Sequence, residues 1–400
     1  MDECEDVILD YNASKACREE DKSIRYAALT DSRFILSAKR EISKVFGVSE
    51  FEILKGNSEK LLIFDVLKNE IVERKINVKN LVFADYAVPI DFEATIKNRE
   101  NIAKAIKWLI EKILDREGKP KFKIEIKKLD FKSEMKAKDL EVVLGKSVEE
   151  DGFVADMLKP DMIIFVVLGE KTVVWHMAAQ DSWAKLDYYR FGKEKKISRA
   201  EFKIKEAMEF FDIDTANAKK ALDIGSAPGG WANYLASKGM QVVAVDNALL
   251  DYGQLEKNGK ILVISSKTDK QIKKIGGKNL AVADSLPAES PEHIDYRIIH
   301  LKENADLSTG SNKILKKLAP FDILTIDVNR EPKETAELAN SLAGLLATNA
   351  TLVITIKLMK MSINRYMEEV AEEISKNYKS IIFKKLPHNK KELTVFAKTK

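Results

Sequence analysis

The sequence predicts an α/β fold: a mostly parallel sheet in the second half, preceded by α+β units in the first. Three observations carry this. Beyond residue 198, short apolar runs alternate with amphipathic helical segments, the pattern of a parallel sheet covered on both faces. A glycine-rich turn from Gly225 to Gly230 stands between one such run and one such helix. Before residue 180 the order is helix, strand, helix and then two strands flanking Gly169-Glu170, which reads as α+β with a hairpin.

Taken in order, residues 1–95 are weakly patterned. Short strands at Leu61–Val66 and Leu81–Phe83 alternate with polar turns, suggesting a small α+β unit. Asn98–Gly118 is a helix, with Ile102, Ile106, Leu109, Ile110, Ile113 and Leu114 on one face and Gly118-Lys119-Pro120 as its stop. Phe122, Ile124 and Ile126 alternate with lysines as a half-buried strand, and Lys136–Glu150 is a second helix. Met162–Leu168 and Thr172–Met177 form the hairpin. Residues 96–180 are thus expected as a second α+β domain. Residues 181–197, basic and aromatic (Trp183, Tyr188, Tyr189, Phe191), read as a linker. In 198–400 the expected strands are Lys220–Ile224, Val242–Asp246, Phe321–Asp327, Ala350–Ile356, Ile381–Leu386 and Leu393–Lys398. Helices follow Gly230, Pro332 and Ser362. Residues 250–298, polar and glycine-containing, look like an insertion.

Composition narrows the chemistry. The chain has 400 residues, 45% of them apolar, enough for two or three domains with real cores. Its longest apolar runs fall far short of the ~20 residues of a membrane span. The acidic start, Met1 to Asp6, does not resemble a signal peptide. The only cysteines are Cys4 and Cys17, so no disulfide framework, cysteine zinc cluster or thiol nucleophile can serve the second half. The four histidines give no ligand spacing. A soluble, cytoplasmic, metal-free protein is expected, with its oligomeric state open and a monomer as the default. Net charge is only +4, but residues 119–138 carry eight lysines against three acids. Residues 185–199 and 384–400 are also strongly basic. One such stretch is a solvated face; three together favour a polyanionic partner.

The chemistry sits in Asp223-Ile224-Gly225-Ser226-Ala227-Pro228-Gly229-Gly230-Trp231, which follows a strand and opens a helix. Glycines let the backbone approach a ligand, and a helix N-terminus favours negative charge. The next strand ends in Asp246, an acid placed to accept both hydroxyls of a ribose. Together they indicate an adenosine-containing cofactor.

This segment resembles the S-adenosylmethionine loop of FtsJ/RrmJ-like ribose 2'-O-methyltransferases. The resemblance spans about residues 197–400. Ser198-Arg199-Ala200-Glu201-Phe202-Lys203 is similar to the family's segment before the loop. Lys203, Asp327, Lys357 and Glu392 follow the order of its Lys-Asp-Lys-Glu catalytic tetrad. The surroundings of the last three look most like the RlmM branch, which methylates large-subunit ribosomal RNA. The resemblance therefore implies a Rossmann-like methyltransferase domain with S-adenosylmethionine as cofactor. It would be held by Ser198, Gly225, Ala227, Pro228, Gly229, Gly230, Trp231, Asp246, Asn304 and Asp327. Asn304 stands where the family has an acid that contacts adenine, with Asp306 as its rival. Residues 96–180 resemble a THUMP RNA-binding domain, through Leu144-Gly145-Lys146 and Val154 to Asp161, and residues 1–95 the ferredoxin-like unit that precedes it. RNA is the implied partner, ribosomal before transfer RNA.

A ribose hydroxyl is a poor nucleophile, so the reaction needs alignment and a proton acceptor. Lys357 is the expected acceptor, with Lys203 as a neighbouring cation that would lower its pKa; Asp327 and Glu392 would oppose that, so residue order leaves the net shift open. Lys203 and Glu392 would position the hydroxyl, and Asp327 would touch both Lys357 and the cofactor's methionyl end. Rival readings are a transfer-RNA ribose or base methyltransferase and, in another class, a non-catalytic RNA-binding assembly factor. Base N-methylation is disfavoured because Asp327-Val328-Asn329-Arg330 stands where Asn/Asp-Pro-Pro-aromatic is needed. Carbon-5 methylation and thiouridine synthesis lack their cysteine.

Overall fold

The computed structural model describes residues 8–13, 23–67, 81–96, 102–131, 135–179, 197–198, 200–265, 278–287, 295–305, 309–358 and 363–400. The chain divides into two compact units, Met1–Leu186 and Asp187–Lys400. The aromatic residues of the expected linker, both cysteines, Asp306 and Ser362 lie outside the described residues.

The first unit runs β1 (Ile8–Ala13), β2 (Ser23–Asp31), α1 (Ile35–Phe46), β3 (Glu52–Lys55), β4 (Glu59–Leu67), β5 (Ala84–Pro89) and β6 (Phe92–Ile96). It continues with α2 (Ile102–Arg116), β7 (Phe122–Lys128), α3 (Ala137–Glu149), β8 (Met162–Leu168) and β9 (Thr172–Ala178). One sheet has the order β3-β4-β2-β5, the other β1-β6-β9-β8-β7. In α2 the expected apolar face is buried throughout. The hairpin also forms, pairing Met162 through Leu168 with Ala178 back to Thr172. β8 is apolar at every position because both its faces are covered. Ile164, Val166 and Leu168 pack with α2 and α3. Ile163, Phe165 and Val167 share a core with Leu29, Leu61 and Ile63 of the other sheet, as alternation of side chains along a strand requires.

Two expectations change here. β1 and β6, from the first 95 residues, pair into the sheet of β7 to β9, so the sheets do not divide at residue 95. Leu81 to Phe83 precede β5 rather than forming a strand. Leu81 and Phe83 are buried, but the Phe83 N–H donates to the Glu41 carboxylate of α1 at 2.9 Å instead of to a ladder.

The second unit runs α4 (Ala200–Phe210), β10 (Lys220–Ile224), α5 (Gly230–Ser237), β11 (Gln241–Val245), β12 (Ile261–Ile264), β13 (Leu280–Ala283), β14 (Ile298–Leu301) and α6 (Thr309–Leu318). Then come β15 (Phe321–Ile326), α7 (Pro332–Leu342), β16 (Leu346–Lys357), α8 (Ile363–Ile374), β17 (Tyr378–Lys384) and β18 (Glu392–Thr399). Among the described residues its sheet has the strand order β13-β12-β14-β11-β10-β15-β16-β18-β17. Among the described strands, β18 runs opposite to the rest, antiparallel to both β16 and β17. The chain starts at β10, builds outward through β11, and then returns to the other side at β15. The strand order thus reverses between β10 and β15, and the crevice at their carboxyl ends is where such sheets bind ligands. Residues 250–298 are not a mere appendage: β12 and β13 extend the sheet beyond β14. Each has only four residues, too few for a periodic signal among polar neighbours.

Candidate active site

The glycine turn is shaped by contacts that leave no room for side chains. Gly225 has φ +78°, and a Cβ there would lie 2.5 Å from the Asp327 carbonyl oxygen. Gly229, at φ +109°, caps α5 and packs on Leu255. The Ala227–Pro228 bond is cis. Below the turn, Asp223 is fully buried and accepts O–H bonds from Ser226 (2.7 Å) and Thr325 (2.8 Å). Burial pushes its carboxyl up to about 6. Asp223 thus fastens the turn to β15 and does not face a ligand. Trp231 is likewise buried, its Nε1–H donating to the Ala200 carbonyl at 2.7 Å, so it joins α5 to α4 as well as lining the crevice.

Two cavities, of 290 and 440 Å³, meet along Gly225, Ala227, Asp327, Val328 and Asn329. The first is also lined by Ser198, Gly230, Trp231 and Lys357. The second is lined by Asp246, Asn247 and Asn304. Of the expected cofactor residues, Pro228 and Gly229 line neither; they set the turn from behind. Asp246 departs from expectation in part. Its carboxylate oxygens accept the N–H groups of Ala227 and Ala248, both at 2.9 Å. Each oxygen keeps a lone pair for a further donor.

The crevice suits an adenosine-bearing, positively charged group. Asp246 and the exposed Asn304 sit in one cavity, acceptor and amide. Asp327 lies where the two join. In the other cavity the buried Ser198 Oγ has no hydrogen-bond partner among the described residues, and a buried hydroxyl without one is costly.

Lys203, Asp327, Lys357 and Glu392 converge at the end of this crevice. Lys203 is in the first turn of α4, Asp327 follows β15, Lys357 ends β16 and Glu392 opens β18. Lys357 Nζ donates to Asp327 Oδ1 at 2.9 Å and to Glu392 Oε2 at 2.5 Å. Lys203 Nζ lies 3.3 Å from Asp327 Oδ2 and pairs with Glu392 Oε1. The four form a ring of alternating charge, each cation touching both anions.

The ring sets its own protonation. Burial alone would raise Asp327, but Lys203, Lys357 and the 2.5 Å hydrogen bond from Thr355 Oγ1 hold it below the ordinary carboxylate range. Burial alone would lower Lys357, but Asp327 and Glu392 outweigh it and raise the ammonium above its ordinary value. The net shift of Lys357, which the sequence leaves open, is therefore upward. Two carboxylates in contact outweigh one neighbouring cation, so Lys357 rests as an ammonium without a free lone pair.

Side chains not anticipated from sequence hold the ring together. Glu206, one turn beyond Lys203 on α4, accepts the His388 N–H at 3.1 Å and pairs with its ring Nδ1. His388 stacks on Phe202, centroids 4.9 Å apart. Asn389 donates to Thr394 Oγ1 at 2.8 Å. These contacts tie the helix carrying Lys203 to the turn leading into Glu392. The one available signal was Glu206 itself, an acid three residues after Lys203 among apolar helix positions.

A sheet that reverses at β10, a glycine turn over the reversal and an acid ending the next strand define an α/β methyltransferase domain. Residues 197–392 match the FtsJ-like methyltransferase family. The chain is 29% identical over 212 residues to the uncharacterized protein MJ1257 of Methanocaldococcus jannaschii, covering 51% of this chain and 47% of that one. It is 30% identical over 131 residues to ribosomal RNA large subunit methyltransferase M of Azotobacter vinelandii (29% and 37% of the two chains). With the same enzyme of Aeromonas salmonicida it shares 39% over 70 residues (15% and 19%). The chain spans less than half the length of these relatives. No helix among the described residues is long and apolar enough to cross a membrane.

Proposed function

We propose that this chain transfers a methyl group from S-adenosylmethionine to a ribose 2'-hydroxyl of RNA, large-subunit ribosomal RNA before transfer RNA, in the cytoplasm. The observation that carries the reading is the alternating ring of Lys203, Asp327, Lys357 and Glu392 opening into a crevice of cofactor dimensions. The cofactor supplies an electrophilic methyl group on a positively charged sulfur. Ser198, Gly225 and Asp327 would hold its methionyl end, and Asp246 and Asn304 its adenosine.

Lys357 is the most exposed member of the ring, so its Nζ is the group that meets the hydroxyl. A cation beside Asp327 offsets part of the carboxylate field that keeps Lys357 protonated. Once its ammonium has released a proton to solvent, the neutral Lys357 amine accepts the hydroxyl proton as the oxygen attacks. Lys203 and Glu392 fix where Lys357 points.

The first unit would supply the RNA contact, residues 96–180 acting as a THUMP-like domain. Lys119, Lys121 and Lys138 are each more than half exposed, and exposed lysines offer salt-dependent phosphate contacts. The name of the enzyme from Azotobacter vinelandii and Aeromonas salmonicida favours ribosomal RNA.

Alkaline hydrolysis tests the reading, because a 2'-O-methyl group blocks cleavage at its own nucleotide. Large-subunit ribosomal RNA incubated with the protein and S-adenosylmethionine should gain one protected position. Methyl incorporation without any protected position would point to a base instead and defeat it.

A further inference from the structure

We infer that Tyr252 and His300 form a buried positioning device for Asp246, fixing the carboxylate that receives the cofactor's ribose. This deepens the proposed function and rests on its reading of the crevice.

His300 lies on β14, opposite Ala244 of β11, and is fully buried. Its Nε2 lies 3.0 Å from the Asp246 carbonyl oxygen. A carbonyl can only accept, so Nε2 carries the hydrogen. Nδ1 is then a bare acceptor, and the Tyr252 O–H donates to it at 2.7 Å. Burial pushes the imidazole down to about 4, so the ring is neutral above that value and these two hydrogen bonds set its tautomer. The Asp246 carbonyl also accepts the Glu303 N–H at 3.1 Å. The residue is thus gripped by its backbone while its side-chain oxygens hold Ala227 and Ala248.

Tyr252 opens the one-turn helix Tyr252–Leu255, and that turn touches the other half of the site. The Asp251 N–H donates to the Pro228 carbonyl at 2.8 Å. Leu255 fills the space beside Gly229, where a Cβ would come within 3.1 Å. One short stretch of chain therefore braces both the glycine turn and the acid at the end of β11. A histidine serving only as a satisfied core group would have no reason to matter selectively for cofactor affinity.

The test is calorimetric titration of S-adenosylmethionine into the full chain and its His300→Leu, His300→Gln and Tyr252→Phe variants. Methylation of large-subunit ribosomal RNA is also measured at saturating cofactor. A lost hydrogen bond of roughly 1.4 kcal/mol predicts about tenfold weaker binding for His300→Leu. Tyr252→Phe should weaken binding about threefold. His300→Gln, which presents an N–H at the reach of Nε2, should stay near wild type. The rate at saturating cofactor should be unchanged in all three. Wild-type affinity in His300→Leu overturns the inference, as does equal loss in His300→Leu and His300→Gln. Should His300→Leu fail to fold, unaltered affinity in Tyr252→Phe overturns it. A wild-type chain that binds no S-adenosylmethionine fails differently: it removes the reading of the crevice itself.

Discussion

Lys357 and Glu392 face each other across the final rung of the β16–β18 ladder, and their side chains close an ion pair of 2.5 Å. Backbone register sets this contact, because Lys357 ends one strand where Glu392 begins the other. Asp327 and Lys203 complete the ring from β15 and α4. Three of the four groups therefore sit on or beside adjacent strand ends, where little backbone motion is available to separate them.

Removing the ammonium should cost rate and spare binding. Lys357→Met is expected to lower single-turnover methylation by about 10³, within the usual span for loss of a positioned acid or base. S-adenosylmethionine affinity should stay within about threefold, since less than one lost hydrogen bond is at stake. Full turnover in this variant would remove Lys357 from the reaction.

Removing one carboxylate should shift the pH profile. Burial lowers Lys357, and Asp327 and Glu392 raise it past its ordinary value. The neutral amine that can accept a proton therefore grows only as pH climbs toward that raised value. Glu392→Gln takes away one raising charge, so the rising limb of rate against pH should move to lower pH. The maximal rate should fall, because Lys203 loses the same partner. A limb that stays in place, measured in rapid-quench assays from pH 6 to 10, would contradict the role given to the pair.

Asp223 gives a stability signature of opposite sign to most carboxylates. Burial raises it to about 6 from 3.8. An acid with a raised folded value holds its proton more tightly folded than unfolded. Its contribution is therefore complete below the unfolded value and is lost as pH rises from about 4 to about 6. The loss amounts to about 3 kcal/mol. Asp223→Asn does not titrate, so its stability relative to wild type should rise across that window and level off above it. Urea melts at pH 4, 5, 6 and 7 check this, and a constant difference would disprove it.

Two glycines of the turn should respond unequally to alanine. At Gly225 the added Cβ meets a backbone carbonyl at 2.5 Å, and φ is +78°. At Gly230 the nearest atom, also at 2.5 Å, is the Ser198 hydroxyl, which can rotate away. Gly225→Ala should therefore abolish cofactor binding and cost a few kcal/mol of stability. Gly230→Ala should retain binding at reduced affinity. Thermal melts with and without S-adenosylmethionine would show the ranking, and equal effects would contradict the geometry.

Much of this site was legible because polar residues at the ends of apolar runs mark strand termini. Asp246, Asp327 and Lys357 each follow such a run, and the glycine turn locates the crevice between them. What the sequence concealed was non-local or already partnered. β1 and β6 pair over some 80 positions, so no local pattern places them in the second sheet. β12 and β13 are four-residue strands in polar surroundings, which made a structural edge read as an insertion. The raised pKa of Lys357 depends on two carboxylates meeting one amine, a balance set by distances rather than by residue order. Glu206 and His388 lie 182 positions apart, and only folding shows that they couple α4 to the turn before β18.

The most direct measurement is transfer of isotopically labelled methyl from S-adenosylmethionine to large-subunit ribosomal RNA, followed by digestion to nucleosides and mass spectrometry, with Lys357→Met alongside. The expected result is label in a 2'-O-methylnucleoside for wild type and almost none for the variant. Label on a base, or equal incorporation by both proteins, would contradict a ribose-directed reaction at the Lys203, Asp327, Lys357 and Glu392 ring.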